Sequence, residues 1–114
     1  MGMDFERLHI LLVCNLGAST GIMVAKMREI SKNSKVLAGK DIKIDARPAG
    51  ELEEYINDYD VILVGPQMRH KFKDLKKIAD TYKKPIDIIN SQDYGLVNGG
   101  NILKAAIVLR MENQ

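Results

Sequence analysis

The sequence contains one cysteine, two histidines and no tryptophan among its 114 residues. A single cysteine, Cys14, cannot form an intramolecular disulfide, and with two isolated histidines it argues against a structural zinc site. No apolar run approaches the roughly 20 residues that a membrane-spanning helix needs, and the segment before Leu8 is too short and polar for a secretory signal. We therefore expect a cytoplasmic protein that carries no metal, no cofactor and no segment inserted into the membrane.

The chain also lacks an excess of charge of either sign, since 17 lysines and arginines face 15 aspartates and glutamates. This balance gives no indication of nucleic acid or of a membrane surface as the main partner. A solvated helix face is the simpler explanation for the basic residues of the third predicted helix, and a docking patch for an acidic partner is the alternative. These residues are Arg69, Lys71, Lys73, Lys76 and Lys77.

Apolar segments recur along the chain at intervals that predict strands. Residues 8–13 and 61–64 are apolar, which is typical of strands covered on both faces. Residues 42–47 alternate between apolar and charged, and Asp87 interrupts the apolar run of residues 86–89, so both of these segments are expected at sheet edges. At this length the chain predicts one domain over residues 1–114, with about the first seven residues as a flexible N-terminus.

Helical periodicity follows each predicted strand. It is carried first by Met23, Met27 and Ile30, then by residues 51–56, 72–82 and about 98–111, where Ile102, Ala105, Ala106 and Leu109 share one face. This alternation predicts an α/β protein with a single four-stranded parallel sheet and helices on both faces. With central strands one and three and right-handed crossovers, the strand order is 2-1-3-4. Strand two is added on one side of strand one, and strands three and four on the other side. The strand order therefore reverses beside Cys14 and the segment Gly65-Pro66-Gln67, and ligands bind at such a switch point.

The segment from Cys14 to Gly21 is predicted to link the first strand to the first helix. A helix N-terminus carries free N–H groups and a partial positive charge, which suit an anion and favour the thiolate form of a cysteine. Gly17 and Gly21 are expected to let the backbone turn tightly, and Ser19 and Thr20 to supply hydroxyl donors and an N-cap. The segment therefore predicts a phosphate-binding loop with Cys14 as its nucleophile.

Several other loops of this kind are excluded or disfavoured by spacing. The glycines match neither the dinucleotide nor the Walker pattern, and a redox pair would need a second cysteine. Low-molecular-weight tyrosine phosphatases and arsenate reductases, which share the predicted fold, place arginine six residues after the cysteine, where this chain has Thr20. Without a cation or carboxylate in the segment, a phosphorylated cysteine is expected to persist. Two alternatives stay open: a hydrolase or reductase of that type, and a non-catalytic regulatory domain with Cys14 merely buried.

Three longer stretches, LLVCNLGASTG, ELEEYINDYDVILVGPQ and INSQDYGLVNGGNILK, carry a resemblance to a known family. The chain resembles the IIB component of the bacterial phosphoenolpyruvate-dependent sugar phosphotransferase system, in its lactose/cellobiose (lichenan, chitobiose) branch. The resemblance implies that Cys14 takes a phosphoryl group from a phosphohistidine of the IIA partner. It further implies transfer to a sugar, such as cellobiose, lactose or chitobiose, held by the IIC membrane component. The implied phosphate-binding loop consists of Asn15, Leu16, Gly17, Ala18, Ser19, Thr20 and Gly21.

Further residues are expected near the same edge of the sheet. They follow the third and fourth strands and are candidates for contact with a partner or with phosphate: Pro66, Gln67, Gln92, Asp93 and Tyr94. Ordinary turn chemistry and helix capping are the alternative explanation for them. His9 is interpreted as structural, and His70, although nearer to this edge, is not expected to form a dyad with Cys14.

Overall fold

A computed structural model describes residues 5–15 and 18–113, with backbone alone at Ala18 and Ser19. Four parallel strands form the sheet: β1 (Arg7–Cys14), β2 (Asp41–Pro48), β3 (Val61–Val64) and β4 (Ile86–Ile88). Their order is β2-β1-β3-β4. The predicted order and the edge positions of β2 and β4 are therefore confirmed.

The helices lie on both faces of this sheet. They are α1 (Ala18–Asn33), α2 (Leu52–Tyr55), α3 (Phe72–Thr81), α4 (Ser91–Gly95) and α5 (Gly99–Glu112). Turns of 3₁₀-helix flank α2 at Ala49–Glu51 and Ile56–Asp58, and another, Pro66–Lys71, precedes α3. None of the helices within residues 5–15 and 18–113 is long and apolar enough to cross a membrane.

Strand β1 divides the core in two because its side chains alternate between the faces of the sheet. Leu8, Ile10 and Leu12 pack with the buried residues of α1 and α5. Leu11 and Val13 pack with those of α2 and α3 on the other face. The apolar run of residues 10–13 in β1 follows from this double burial.

Helix α5 lies against α1 through a close contact at Gly99. A Cβ at Gly99 would come within 3.2 Å of Ile30 Cδ1 and 3.3 Å of the Met27 backbone nitrogen. The buried face of α5 differs in part from the predicted one, since Ala105 is exposed while Leu103 is buried. The face is shifted because α5 packs against α1 as well as the sheet.

The N-terminal segment and the end of α5 are close together. Phe5 is buried, and the Arg110 guanidinium lies 5.8 Å from the centre of its ring. Because β1 runs from Arg7 to Cys14, this contact lies at the opposite end of the sheet from the cysteine.

Candidate functional site

Cys14 is the last residue of β1 and lies at the carboxyl edge of the sheet. Its strand partner in β2 is Pro48. On the other side, the Gly65 N–H donates to the Val13 carbonyl at 2.9 Å, so the chain leaving β3 lies directly beside Cys14. The side chain is 5 % exposed, and it belongs to the face of the sheet that α1 covers.

The first turn of α1 follows Cys14 closely, but it begins earlier than predicted. Helix α1 starts at Ala18, so Ser19 and Thr20 lie inside the helix and the prediction that they form its N-cap is wrong. The predicted role of Gly21 in a tight turn is also wrong, because it is helical and a Cβ there would meet nothing within 4 Å. The predicted loop residues Leu16 and Gly17 lie outside the described residues.

Thr20 joins this turn to α4 across the site. It is only 4 % exposed, and its Oγ1 lies 3.0 Å from the Tyr94 hydroxyl. This contact explains why a stretch of weak helix formers is helical, since tertiary packing overrides propensity. Thr20 and Tyr94 are 74 positions apart in the chain, so local sequence patterns do not indicate their contact.

Helix α4 is absent from the predicted elements, yet its start has a recognisable signal. The Asn90 side chain accepts hydrogen bonds from the Gln92 and Asp93 N–H groups at 2.9 and 3.0 Å. An asparagine with this pattern is a typical N-cap. The cap fixes α4 at the end of β4 and thereby positions Tyr94 against α1.

The structure does not connect Asp93 and Gln92 to the first turn of α1 in the way that it connects Tyr94. The Asp93 carboxylate accepts from Asn101 Nδ2 at 3.1 Å and lines a cleft of about 220 Å³ between β4 and α5. Gln92 has an exposed side chain. Among the candidates following β4, Tyr94 is thus the one that the structure connects to the first turn of α1.

Gly65, Pro66 and Gln67 form the turn beside Cys14. Pro66 begins the 3₁₀ turn, which the Met68 N–H closes by donating to the Gly65 carbonyl at 2.9 Å. A Cβ at Gly65 would lie 2.8 Å from Gln67 Oε1 and 3.8 Å from Cys14 Cβ. The Gln67 carboxamide and Cys14 therefore face the same small space.

Arg69 is a basic residue that the structure ties to the helix after β4. It lies in the 3₁₀ turn after β3, not on α3, and its Nη2 donates to Ser91 Oγ at 3.4 Å. Arg47 belongs to the other face, where it stacks on the Tyr55 ring and pairs with Glu51. Within the described part of the chain, no group of three or more His, Cys, Asp or Glu side chains could hold a metal ion.

The strand order, the helices on both faces and the cysteine at the end of β1 define a domain of the low-molecular-weight tyrosine phosphatase type of fold. A model of the family described as "PTS system, Lactose/Cellobiose specific IIB subunit" matches residues 9–105. The chain therefore belongs to this family of phosphotransferase-system components.

Individual relatives agree with this assignment. The oligo-beta-mannoside-specific EIIB component of Bacillus subtilis is 33 % identical over 105 residues, covering 92 % of this chain and 97 % of the relative. The solution structure of a cellobiose-specific IIB component from Borrelia burgdorferi matches with a TM-score of 0.77 and 33 % identity, covering 95 % of each chain. A lactose-specific EIICB component of Lacticaseibacillus casei is 28 % identical over 98 residues, covering 85 % of this chain but 16 % of the relative.

Proposed function

We propose that Cys14 accepts a phosphoryl group from a phosphohistidine of a IIA protein and passes it to a sugar held by a IIC membrane component. The observation that carries this proposal is the position of the one cysteine, at the end of a central strand and directly before α1. Free N–H groups and the helix dipole favour a thiolate and a phosphate dianion at such a position. The phosphate-binding segment then runs from Asn15 to Gly21.

The transfer consists of two displacements at phosphorus. The Cys14 thiolate forms an S–P bond while the N–P bond of the phosphohistidine, which is protonated at its other ring nitrogen, breaks and neutral imidazole leaves. A sugar hydroxyl then forms an O–P bond and gives its proton to water, while the S–P bond breaks and the thiolate is regenerated. Such transfers require mainly correct positioning and stabilisation of charge.

Transfer is favoured over hydrolysis by the composition of the segment after Cys14. Phosphatases of this fold use an arginine at the position of Thr20, whereas here the Thr20 hydroxyl contacts Tyr94. The segment from Cys14 to Gly21 also has no carboxylate that could activate water. A phosphorylated Cys14 should therefore persist until an acceptor docks.

The names of the relatives support the class of sugar and of partner. They mention oligo-beta-mannoside, cellobiose and lactose, so we propose a β-linked disaccharide such as cellobiose, lactose or chitobiose. In the L. casei relative, the designation EIICB supports IIC as the partner. We further propose that residues 1–114 act as a single cytoplasmic domain without a cofactor.

Mass spectrometry tests the proposal directly. The chain is incubated with phosphoenolpyruvate, the general phosphotransferase proteins and a IIA protein of the lactose/cellobiose branch. One phosphoryl group is expected on Cys14, and none on a Cys14→Ser variant. An unmodified Cys14 would contradict the proposal, and rapid multiple turnover of p-nitrophenyl phosphate would favour a phosphatase.

A further inference from the structure

The absence of a side chain at Gly65 leaves room for the end of the Gln67 side chain. Gly65 is buried and extended, with φ −60° and ψ 144°, a conformation that any residue adopts. The backbone conformation at this position therefore does not require glycine. The lack of a side chain matters because Gln67 Oε1 lies 2.8 Å from the position of a Cβ, so a Cβ there would push the end of the Gln67 side chain aside.

The same position is also adjacent to the cysteine. The Gly65 Cβ position lies 3.8 Å from Cys14 Cβ. Because Gly65 continues the alternation of Val61 and Leu63, it faces the α1 side of the sheet, as Cys14 does. The carboxamide of Gln67 thus folds back over the edge of the sheet toward the side chain of Cys14.

The Gln67 carboxamide has its hydrogen-bonding capacity available at this point. None of the hydrogen bonds between residues of the described ranges uses its side chain, which is exposed overall. Its backbone is nevertheless fixed, since the turn around it is closed by the bond from Met68 N to Gly65 O. The atom at this point is Oε1, and a half-turn about the last side-chain bond brings Nε2, with its two N–H donors, to the same place, where they suit phosphoryl oxygens.

We propose that Gln67 is a phosphoryl-binding residue that donates a side-chain N–H to the phosphoryl group on Cys14. This inference rests on the proposed function. It assigns to the turn after β3 a donor that is neutral, so it stabilises the phosphorylated state without the cationic clamp of a phosphatase. Gly65 is the residue that gives this donor its place.

Four variants separate this role from a structural one. Gln67→Met keeps the length of the side chain but removes the donor, and Gln67→Glu keeps the shape but adds a negative charge. Gly65→Ala leaves Gln67 chemically intact and displaces its flexible end, and Gly65→Ala/Gln67→Met combines the two changes. Gly50→Ala is the matched control, because a Cβ at Gly50 would meet nothing within 4 Å.

The measurement is the equilibrium constant for phosphoryl exchange between each variant and a phosphorylated IIA protein, together with the ³¹P chemical shift of the phosphocysteine. A hydrogen bond to an ionised group corresponds to about tenfold or more in an equilibrium constant. Gln67→Met should therefore shift the equilibrium about tenfold toward IIA, and Gln67→Glu further. Gly65→Ala should resemble Gln67→Met, and the double variant should add little. Gly50→Ala should match the wild type.

In the unphosphorylated state, Gln67→Met, Gly65→Ala and their combination should unfold at the wild-type temperature and react with iodoacetamide at the wild-type rate, which a structural role would not allow. Gln67→Glu should unfold at the wild-type temperature but react more slowly, because its carboxylate disfavours the nearby thiolate. Wild-type exchange equilibria and ³¹P shifts in both Gln67 variants would overturn the inference. Fully additive effects of Gly65→Ala and Gln67→Met would do the same. If the wild-type chain itself takes up no phosphoryl group, the proposed function fails, and this result is recognised before any variant is compared.

Discussion

Asp60 is the residue that ties the start of β1 to the start of β3. Its carboxylate accepts hydrogen bonds from Arg7 Nε and Nη2 at 3.1 and 3.0 Å and from the His9 N–H at 2.9 Å. Burial acts to raise the pKa of Asp60, but the hydrogen bonds from Arg7 and His9 and the charge of Arg7 outweigh it and hold the pKa below its ordinary value. The charged carboxylate is thus the form that the fold stabilises.

An Asp60→Asn variant is expected to lose about 1–2 kcal/mol of unfolding free energy at pH 7, because the substitution replaces a charged acceptor by a neutral one and so weakens its hydrogen bonds. A pKa lowered on folding contributes stability above the unfolded pKa, and this contribution is lost as the pH falls through the folded value. The difference between wild type and variant should therefore shrink below about pH 4. Urea unfolding from pH 7 to pH 3 measures it, with the exposed Asp74→Asn as control. A gap that stays constant over this range would contradict the interpretation.

At the scale of secondary structure, the contact between α1 and α4 closes the site on one side. Thr20 is buried and meets Tyr94 at 3.0 Å, while Asn90 fixes the start of α4. The first turn of α1 is thus held by a residue from the far end of the chain. Its opening would expose Cys14, which is 5 % exposed in the folded chain.

We expect Thr20→Val and Tyr94→Phe each to increase local opening of the first turn of α1 about fivefold, since a hydrogen bond is worth about 1 kcal/mol. Amide hydrogen exchange in α1 and the alkylation rate of Cys14 report this opening. The double variant should add little to either single variant if the two groups act on one another. Full additivity would show that the hydroxyls act independently.

The packing of α5 on α1 offers a second test at this scale. Gly99→Ala should cost about 1–3 kcal/mol, because its Cβ would press on Ile30, Lys26 and the backbone of Met27. Gly100→Ala is the matched control in the same helix turn, where the nearest atoms are 3.7 Å or more away. Thermal unfolding should show a lower midpoint for Gly99→Ala alone. Equal midpoints for both variants would contradict the close packing.

The elements with strong periodicity could be predicted, whereas those set by distant contacts could not. Strand β3 has the predicted bounds, and β1, β2 and β4 differ from prediction by a residue or so at their ends. The predicted start of α1 is too late because Ser19, Thr20 and Gly21 favour a loop by propensity. The contact between Gly65 and Gln67 also depends on how the chain turns in space, so the sequence could indicate a site residue but not its geometry.

At the scale of the whole molecule, a side chain binds one outward-facing backbone group on each edge strand of the sheet. The Asp41 N–H donates to the Glu6 carbonyl in the chain before β1. The backbone groups of the alternate residues of β2, Ile44 among them, therefore point away from β1. Arg28 Nε donates to the Ile44 carbonyl at 2.8 Å. On β4, the outward Ile88 N–H donates to Asp87 Oδ1 at 2.8 Å. Unpaired backbone N–H and C=O groups on an edge strand can pair with a strand of another molecule and so cause association.

An Arg28→Ala/Asp87→Ala variant should therefore associate with itself more readily than the wild type, and each change should cost about 0.5–1.5 kcal/mol of unfolding free energy. Sedimentation velocity over a range of concentrations measures the association. The exposed Lys73→Ala on α3 is the control, since it lies on neither edge. A double variant that stays in the wild-type assembly state would show that these contacts do not protect the edges.

The contact between Phe5 and Arg110 has a consequence for how this domain can be built into longer proteins. Since β1 advances about 3.3 Å per residue, the eight residues from Arg7 to Cys14 keep Phe5 and Arg110 about a strand length from the cysteine. A linker attached before Phe5 or beyond Arg110 would leave from the far pole of the domain. Tethering to a larger chain at either point would thus leave the end of the sheet that carries Cys14 unobstructed.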